Sequence, residues 1–323
     1  MHRRQLLQYL VAASTVCSMG GAMAQDFPTK PIRILVASAP GALTDSLTRL
    51  YAERMSSFLK QPVVVENLAG ASSLLASRQL LKSEPDGYTL MTSANTMVTV
   101  PLLRSNAGYE VKDFTPIGEM ARSPAILVVS SASPFKSLND IVAAAKKNPG
   151  QVSFGSGGVG TTNHLPVELF AKQAGISLTH VPYKGIALAV PDVSAGRVSF
   201  MIGTPTSLVE LIKNGSLRPL AITSETRSAK FPDLPTFKEL GWADGTFEIW
   251  IGMVAPGDMP AAVKAKLAQA MEAARKDPAL VSRLEAAGQS ISNVRTPQQF
   301  EAMMRSEEEK FRKVIREANI AVQ

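Results

Sequence analysis

Short apolar runs alternate with amphipathic stretches along most of the chain, and the two periods predict strands and helices in turn. Residues 32–37 (Ile-Arg-Ile-Leu-Val-Ala) read as a strand bounded by Pro31 and Pro40-Gly41. Leu43, Leu47, Leu50, Tyr51, Met55, Phe58 and Leu59 then recur at helical spacing. A short buried strand is expected at 63–65, a helix over 71–83 stopped by Pro85-Asp86-Gly87, and a strand at 88–91. This βαβαβ order favours a parallel sheet with helices on both faces.

A second series opens with a strand at 125–129 and a helix over 138–147, stopped by Asn148-Pro149-Gly150. Strands at 152–154, 178–181, 198–202 and 218–223 alternate with helices near 162–174, 186–195 and 207–213. A turn-rich stretch holding Pro232, Pro235, Gly241 and Gly245 leads to a strand at 248–255. Past Pro256-Gly257 the pattern is helical. Val263, Leu267, Ala270, Met271 and Ala274 make one stripe, and Phe300, Met303, Met304, Phe311, Val314 and Ile315 another; such stripes are core-packing faces rather than cofactor boxes. Helices without a strand series of their own must pack back on the first unit. The expectation is two α/β lobes, 25–124 with 248–323 and 125–247, joined by crossings near 122–126 and 245–250 that form a natural hinge.

The first 24 residues have a different character. Arg3 and Arg4 precede a short apolar run over 6–13, and Ala22-Met23-Ala24 is a small-x-small cleavage pattern, the anatomy of a signal peptide removed near Ala24. The run holds Gln8, Ser14 and Thr15 and falls short of the ~20 apolar residues a membrane span needs. Arg3-Arg4-Gln5-Leu6-Leu7 also has a weak twin-arginine look. Cleavage removes Cys17, the one cysteine, so disulfide scaffolds, thiolate zinc sites and thiol catalysis drop out. The formal charge of +7 falls to +5 with the loss of the two arginines. The remaining basic residues are scattered without interleaved aromatics, which fits attraction for a small anion better than nucleic acid. An ordinary apolar share of 45% excludes disordered and fibrous classes.

Ligands of open parallel sheets sit at the carboxyl ends of strands, and three such loops are candidates. Residues 38–45 (Ser-Ala-Pro-Gly-Ala-Leu-Thr-Asp) bring Gly41 to the start of a helix, where backbone N–H groups and the helix dipole favour an anion. Thr44 and Asp45 also suit plain helix caps. Residues 155–160 match G-x-G-x-x-G between a strand and a helix, but no acidic residue for a ribose appears around 178–183. The glycines, with Thr161, Thr162 and Asn163, suit a carboxylate equally well. Residues 92–96 (Thr-Ser-Ala-Asn-Thr) form the third loop, which also reads as a capping cluster. Catalysis is poorly provided for. Beyond the leader only His164 and His180 remain, neither in a metal-ligand spacing, and Ser156 lacks a nucleophile elbow. His164 sits at a helix start, within reach of a ligand or of the core, while His180 lies in a strand pattern that fits a structural role.

Taken together these motifs resemble the substrate-binding proteins of tripartite tricarboxylate transporters, the Bug (Bordetella uptake) family. The resemblance spans nearly the whole chain after the leader. It is carried in order by residues 28–33 (PTKPIR), Pro40-Gly41 with Asp45, Glu66-Asn67 with Gly70, and residues 85–90 (PDGYTL). It continues through 155–165, 181–185 (VPYKG), 217–221 (LRPLA), 233–236 (DLPT) and 250–256 (WIGMVAP). It implies an α/β, two-lobed periplasmic-binding-protein fold (type II-like) that closes over a small organic carboxylate. The ligand would be a di- or tricarboxylate, an acidic amino acid or an aromatic carboxylate, delivered by a monomer to inner-membrane permease subunits. No enzyme activity, cofactor, metal or nucleic acid is implied. Ligand-contacting positions carry over to Pro40, Gly41 and Ala42 in the first loop and to Ser156, Gly157, Gly160, Thr161, Thr162 and His164 in the glycine loop. Ser93, Asn95 and Tyr183 are further pocket positions. The sequence departs from the family twice. Ala42 replaces a second glycine after Gly41, and Ala71-Ser72-Ser73 replaces a glycine-rich turn after Gly70. A carboxylate sensor feeding a two-component kinase and an exported hydrolase using His164 are the alternative readings.

Overall fold

A computed structural model describes residues 27–317 and 320; the expected signal peptide lies outside the described residues. Two sheets organise the chain. The first contains β1 (Ile32–Val36), β2 (Val63–Asn67), β3 (Thr89–Ala94), β4 (Phe114–Pro124), β10 (Glu248–Pro256) and β11 (Ser290–Ile291), in the order β11-β4-β10-β3-β1-β2. The second contains β5 (Ile126–Ser130), β6 (Ser153–Ser156), β7 (Thr179–Pro182), β8 (Phe200–Gly203) and β9 (Leu217–Ile222), in the order β7-β6-β8-β5-β9. Both are mixed. β1 runs parallel to β2 and β3, and β6 runs parallel to β7 and β8, while β10 and β5 run antiparallel to their neighbours.

Side-chain alternation along β1 explains the layering. Ile32 and Ile34 point to one face, where α1 (Leu43–Leu59) brings Leu47, Tyr51 and Met55 and α8 (Ala261–Arg275) brings Leu267 and Met271. Leu35 points to the other face, against Leu74 of α2 (Leu74–Leu80) and against Phe300 and Met304 of α10 (Pro297–Glu317). The tail helices therefore do pack on the first sheet. β2 is an edge strand, with Val64 53% exposed, rather than the buried strand expected at 63–65.

The chain passes from β4 to β5 across Ala125 and returns into β10 after Phe247. Thr223 ties these crossings together. Its Oγ1 accepts the Ala125 N–H at 2.9 Å, its N–H donates to Ala125 O at 2.9 Å, and its carbonyl accepts the Phe247 N–H at 2.8 Å. A further apolar cluster joins the two bodies. Leu103 closes α3 (Thr96–Leu103), Leu165 and Leu169 lie on α5 (Leu165–Ala174), and both helices meet Phe311 and Ile315 of α10.

The structure departs from the sequence pattern in several elements. β4, β11 and α3 have no counterpart in it, and the helix expected at 71–83 shrinks to Leu74–Leu80 because Ala71, Ser72 and Ser73 all take positive φ (47°, 55° and 78°). The helix expected at 138–147 is α4 (Leu138–Lys147), whereas the one expected at 186–195 is a 3-10 turn, Ile186–Ala189, running into a short helix, α6 (Val190–Ser194).

Candidate functional site

The strands set the site. Val36 pairs with Asn67 and Thr92, so β1 and β2 end level, β3 runs two residues further, and their loops emerge at the same end of the sheet. In the second body β6 and β8 likewise end in the glycine loop and in Thr204-Pro205-Thr206-Ser207 at the start of α7 (Pro205–Lys213). The second body's loops meet the first body at two places along a seam. Thr99 Oγ1 donates to Gly160 O at 2.9 Å, and Thr206 Oγ1 donates to the carbonyl of Ala287, after α9 (Pro278–Ala286), at 3.0 Å. A cavity of about 610 Å³ lies beside them, walled by Gly41, Leu43 and Leu50 on one side and by Thr204, Thr206 and Ser207 on the other, with Arg49, Arg283 and Gln289 also in its lining. Such a volume suits a small-molecule site.

The first loop is held by Asp45. This buried carboxylate accepts the Gly41 N–H at 2.8 Å and Asn67 Nδ2 at 2.8 Å, and pairs with Arg49 at 3.0 Å. Burial raises its pKa, but the Gly41, Arg49 and Asn67 interactions outweigh burial, and the net displacement is downward. Asp45 thus braces the loop from the third helical position instead of capping it. Gly41 takes φ 77° to make the turn. The amides of Gly41 and Ala42 are occupied, by Asp45 and by Ala39 O, and Pro40 has none. The amides of Leu43, Thr44 and Asp45 are the ones left without a partner among the described residues. They are the orphan donors of a helix start, where the helix dipole also favours negative charge.

The third loop divides its work. Ser93 is buried and donates to Ser73 Oγ at 3.2 Å. Asn95 is spent on the start of β10 and on α10. Its Oδ1 accepts the Trp250 N–H at 3.2 Å, and its Nδ2 donates to Glu248 O at 3.4 Å and to Glu307 Oε1. Trp250 Nε1 donates to the other Glu307 oxygen. Burial lifts the Glu307 carboxyl to about 7 in spite of these two donors.

The glycine loop is built around two imidazoles. His164 and His180 stack with centroids 4.0 Å apart, and Phe154 stacks on His180 at 4.9 Å. Gly160 N–H donates to His164 Nδ1 at 3.1 Å, which leaves the proton on Nε2, 3.5 Å from Glu168 Oε1. His180 Nε2 lies 2.6 Å from Ser156 Oγ, which also accepts the Gly158 N–H at 3.0 Å. Burial, and then the neighbouring His164, push the His180 ring down to about 4, so it stays neutral. The serine and histidine are in contact, yet no carboxylate partners the other His180 nitrogen among the described residues, so the acid member of a hydrolytic triad is missing. Gly157, Val159, Thr162 and Asn163 keep amides without a partner among the described residues, and Thr161 Oγ1 closes the turn onto Gly158 O at 2.8 Å. The Tyr183 hydroxyl donates to Asp192 Oδ2 at 2.6 Å; partial burial and then Asp192 raise it to about 12.

Gly41 of the first loop therefore lines the cavity together with residues 204–207, Gly160 of the glycine loop meets Thr99 of α3, and the side chains of Ser93, Asn95 and Tyr183 turn to internal partners. Residues 204–207 and Arg283 were missed. A Gly203-Thr-Pro-Thr-Ser run after a strand, with proline at the first helical position, was the available signal for the former. For Arg283, on a helix distant in sequence, there was none.

Residues 47–320 match the family described as tripartite tricarboxylate transporter family receptor, and the chain belongs to that family. BugT of Bordetella pertussis is 32% identical over 297 residues, covering 91% of this chain and 91% of BugT. A Rhodopseudomonas palustris protein solved with adipate superposes with a TM-score of 0.80 at 30% identity, covering 91% of this chain and 99% of that one. MatC from the same organism, solved with bound malate, gives 0.77 at 26% identity, covering 90% and 100%. The protein is thus a periplasmic solute-binding receptor with the two-lobed α/β fold of its relatives, and its family is one of receptors. Among the described residues no helix is long and apolar enough to cross a membrane.

Proposed function

We propose that the chain captures a small dicarboxylate between two lobes, residues 25–124 with 248–323 and residues 125–247, and hands it to a tripartite transporter's membrane subunits. In this reading the leader is cleaved near Ala24, and the exported monomer works without cofactor or metal. One observation carries the reading: the amides of Leu43, Thr44 and Asp45 and those of Gly157, Val159, Thr162 and Asn163 have no partner among the described residues, and both sets follow the carboxyl ends of parallel strands, where ligands of such sheets bind. One carboxylate docks on the amides of Leu43, Thr44 and Asp45, which the Asp45–Gly41 brace holds in place. The second body then adds the amides of Gly157, Thr162 and Asn163. Because those contacts form only on closure, the ligand favours the closed state. A hydrogen bond to a charged group contributes about 1.5–3 kcal/mol, so a few account for micromolar affinity. The malate and adipate held by the two structural neighbours support the ligand class. Isothermal titration calorimetry of the chain from residue 25 against adipate, malate, citrate and hexanoate tests it. The expected result is one-to-one binding of at least one dicarboxylate in the micromolar range; silence across the panel overturns the proposal.

A further inference from the structure

We infer that Arg283 is the specificity-determining residue of this site, pairing with the far carboxylate of a dicarboxylate whose middle is unsubstituted hydrocarbon. The inference rests on the carboxylate-binding reading above and adds the identity of the distal partner. The cavity beside Gly41 holds two guanidinium groups and no acidic side chain in its lining. They are not equivalent. Arg49 is already committed through Nη2, to Asp45 at 3.0 Å and to Asn67 Oδ1 at 2.8 Å, so its charge is countered by a buried carboxylate. The Arg283 side chain has no ion pair or hydrogen bond among the described residues while lining the same cavity. A planar guanidinium with free paired donors is built to grip a carboxylate through two bonds.

Much of the cavity lining that the first body contributes is apolar. Leu43, Leu47 and Leu50 present one wall, and Leu284, next to Arg283, presents another. A hydrocarbon spacer loses nothing against these leucines, whereas hydroxyl groups turned toward them would be dehydrated there; the hydroxyls of Thr204, Thr206 and Ser207 belong to the second body's side of the lining. The occupant that satisfies both ends and the wall is an α,ω-diacid of adipate type. α9, which carries Arg283, also meets the second body through Ala287 O and Thr206 Oγ1 at 3.0 Å, so an anion bound at Arg283 sits where the two bodies touch.

The test is calorimetry on the wild type, Arg283→Gln and Arg283→Lys with three probes: adipate, hexanoate and galactarate, the last a six-carbon diacid with a hydroxyl on every middle carbon. Arg283 is exposed on a helix, so the variants keep the fold, and an unchanged circular dichroism melt checks this. The expected result is that Arg283→Gln weakens adipate about 10-fold or more and leaves hexanoate, which lacks the second carboxylate, within about twofold. Arg283→Lys should restore part of the loss, and galactarate should bind wild type at least about 10-fold more weakly than adipate. Undiminished adipate binding in Arg283→Gln, an equal loss for hexanoate, or galactarate binding as tightly as adipate overturns the inference and leaves the carboxylate reading standing. A wild type that binds none of the carboxylates overturns both.

Discussion

Asp45 takes the backbone N–H of Gly41 at 2.8 Å, so the helix that follows the first loop holds that loop in shape from its own third position. The amides of Leu43 and Thr44 are aligned as a consequence, without touching the brace themselves. Replacing Asp45 by alanine strands the Gly41 N–H and frees Asn67 and Arg49. The expected cost is about 2–3 kcal/mol of stability, with carboxylate affinity down at least about 10-fold, read by chemical denaturation and calorimetry. Because the Asp45 pKa is lowered in the fold, its contribution is present above the unfolded-state value of about 3.9 and disappears as pH falls further.

Glu307 has the opposite sign. Its carboxyl, normally near 4.5, is lifted to about 7 by burial. A raised value means the stabilising contribution is complete below the unfolded pKa and is lost as pH rises through 7. The chain should melt at a higher temperature at pH 6 than at pH 8, with a difference of about 1 kcal/mol from this group. Glu307→Gln should flatten that slope and abolish any pH-dependent change in Trp250 emission, since Trp250 Nε1 is bonded to this carboxylate. Glu119 and Glu248, also raised by burial, act in the same direction.

Gly160 takes φ +78°, and a Cβ placed there would stand 2.0 Å from Leu103 Cδ1 across the seam. Gly160→Ala should therefore destabilise by about 2 kcal/mol or more, through left-handed strain and the clash together. Adding Leu103→Ala should recover the part due to the clash and not the part due to strain, which a double-mutant cycle in urea separates.

The turn at 71–73 holds three non-glycine residues at positive φ in a row. Ser73 uses its hydroxyl, lying 2.7 Å from Thr96 Oγ1, whereas Ser72 is exposed. Ser72→Gly should relieve about 1 kcal/mol of strain and raise the melting temperature by a few degrees without altering carboxylate affinity.

Much of this architecture was legible because local chemistry specified it. Pro40-Gly41, Pro85-Asp86-Gly87 and Asn148-Pro149-Gly150 punctuate strands and helices, and the glycine loop advertises its exposed amides. β4 was not legible. Its Pro116, Gly118, Glu119 and Arg122 break the period of a buried strand, and they are tolerated because Glu119 and Arg122 pair with each other and because bulges in β4 at Ile117 and Met120, opposite β10, absorb the shift. α3 hid behind its β-branched residues and Pro101. The roles of Asn95 and His180 depend on partners far along the chain or stacked from another element, Glu307 and Trp250 for one and His164 for the other. No spacing in the sequence encodes those meetings.

The central claim is that peptide amides on the two facing bodies hold the ligand, and amide hydrogen exchange measures it at those atoms. Peptides covering residues 42–46 and 156–164 should exchange markedly more slowly when saturating dicarboxylate is added, while the helix at Pro297–Glu317 changes little. Tight binding that leaves both loops exchanging at their free rates would contradict the account.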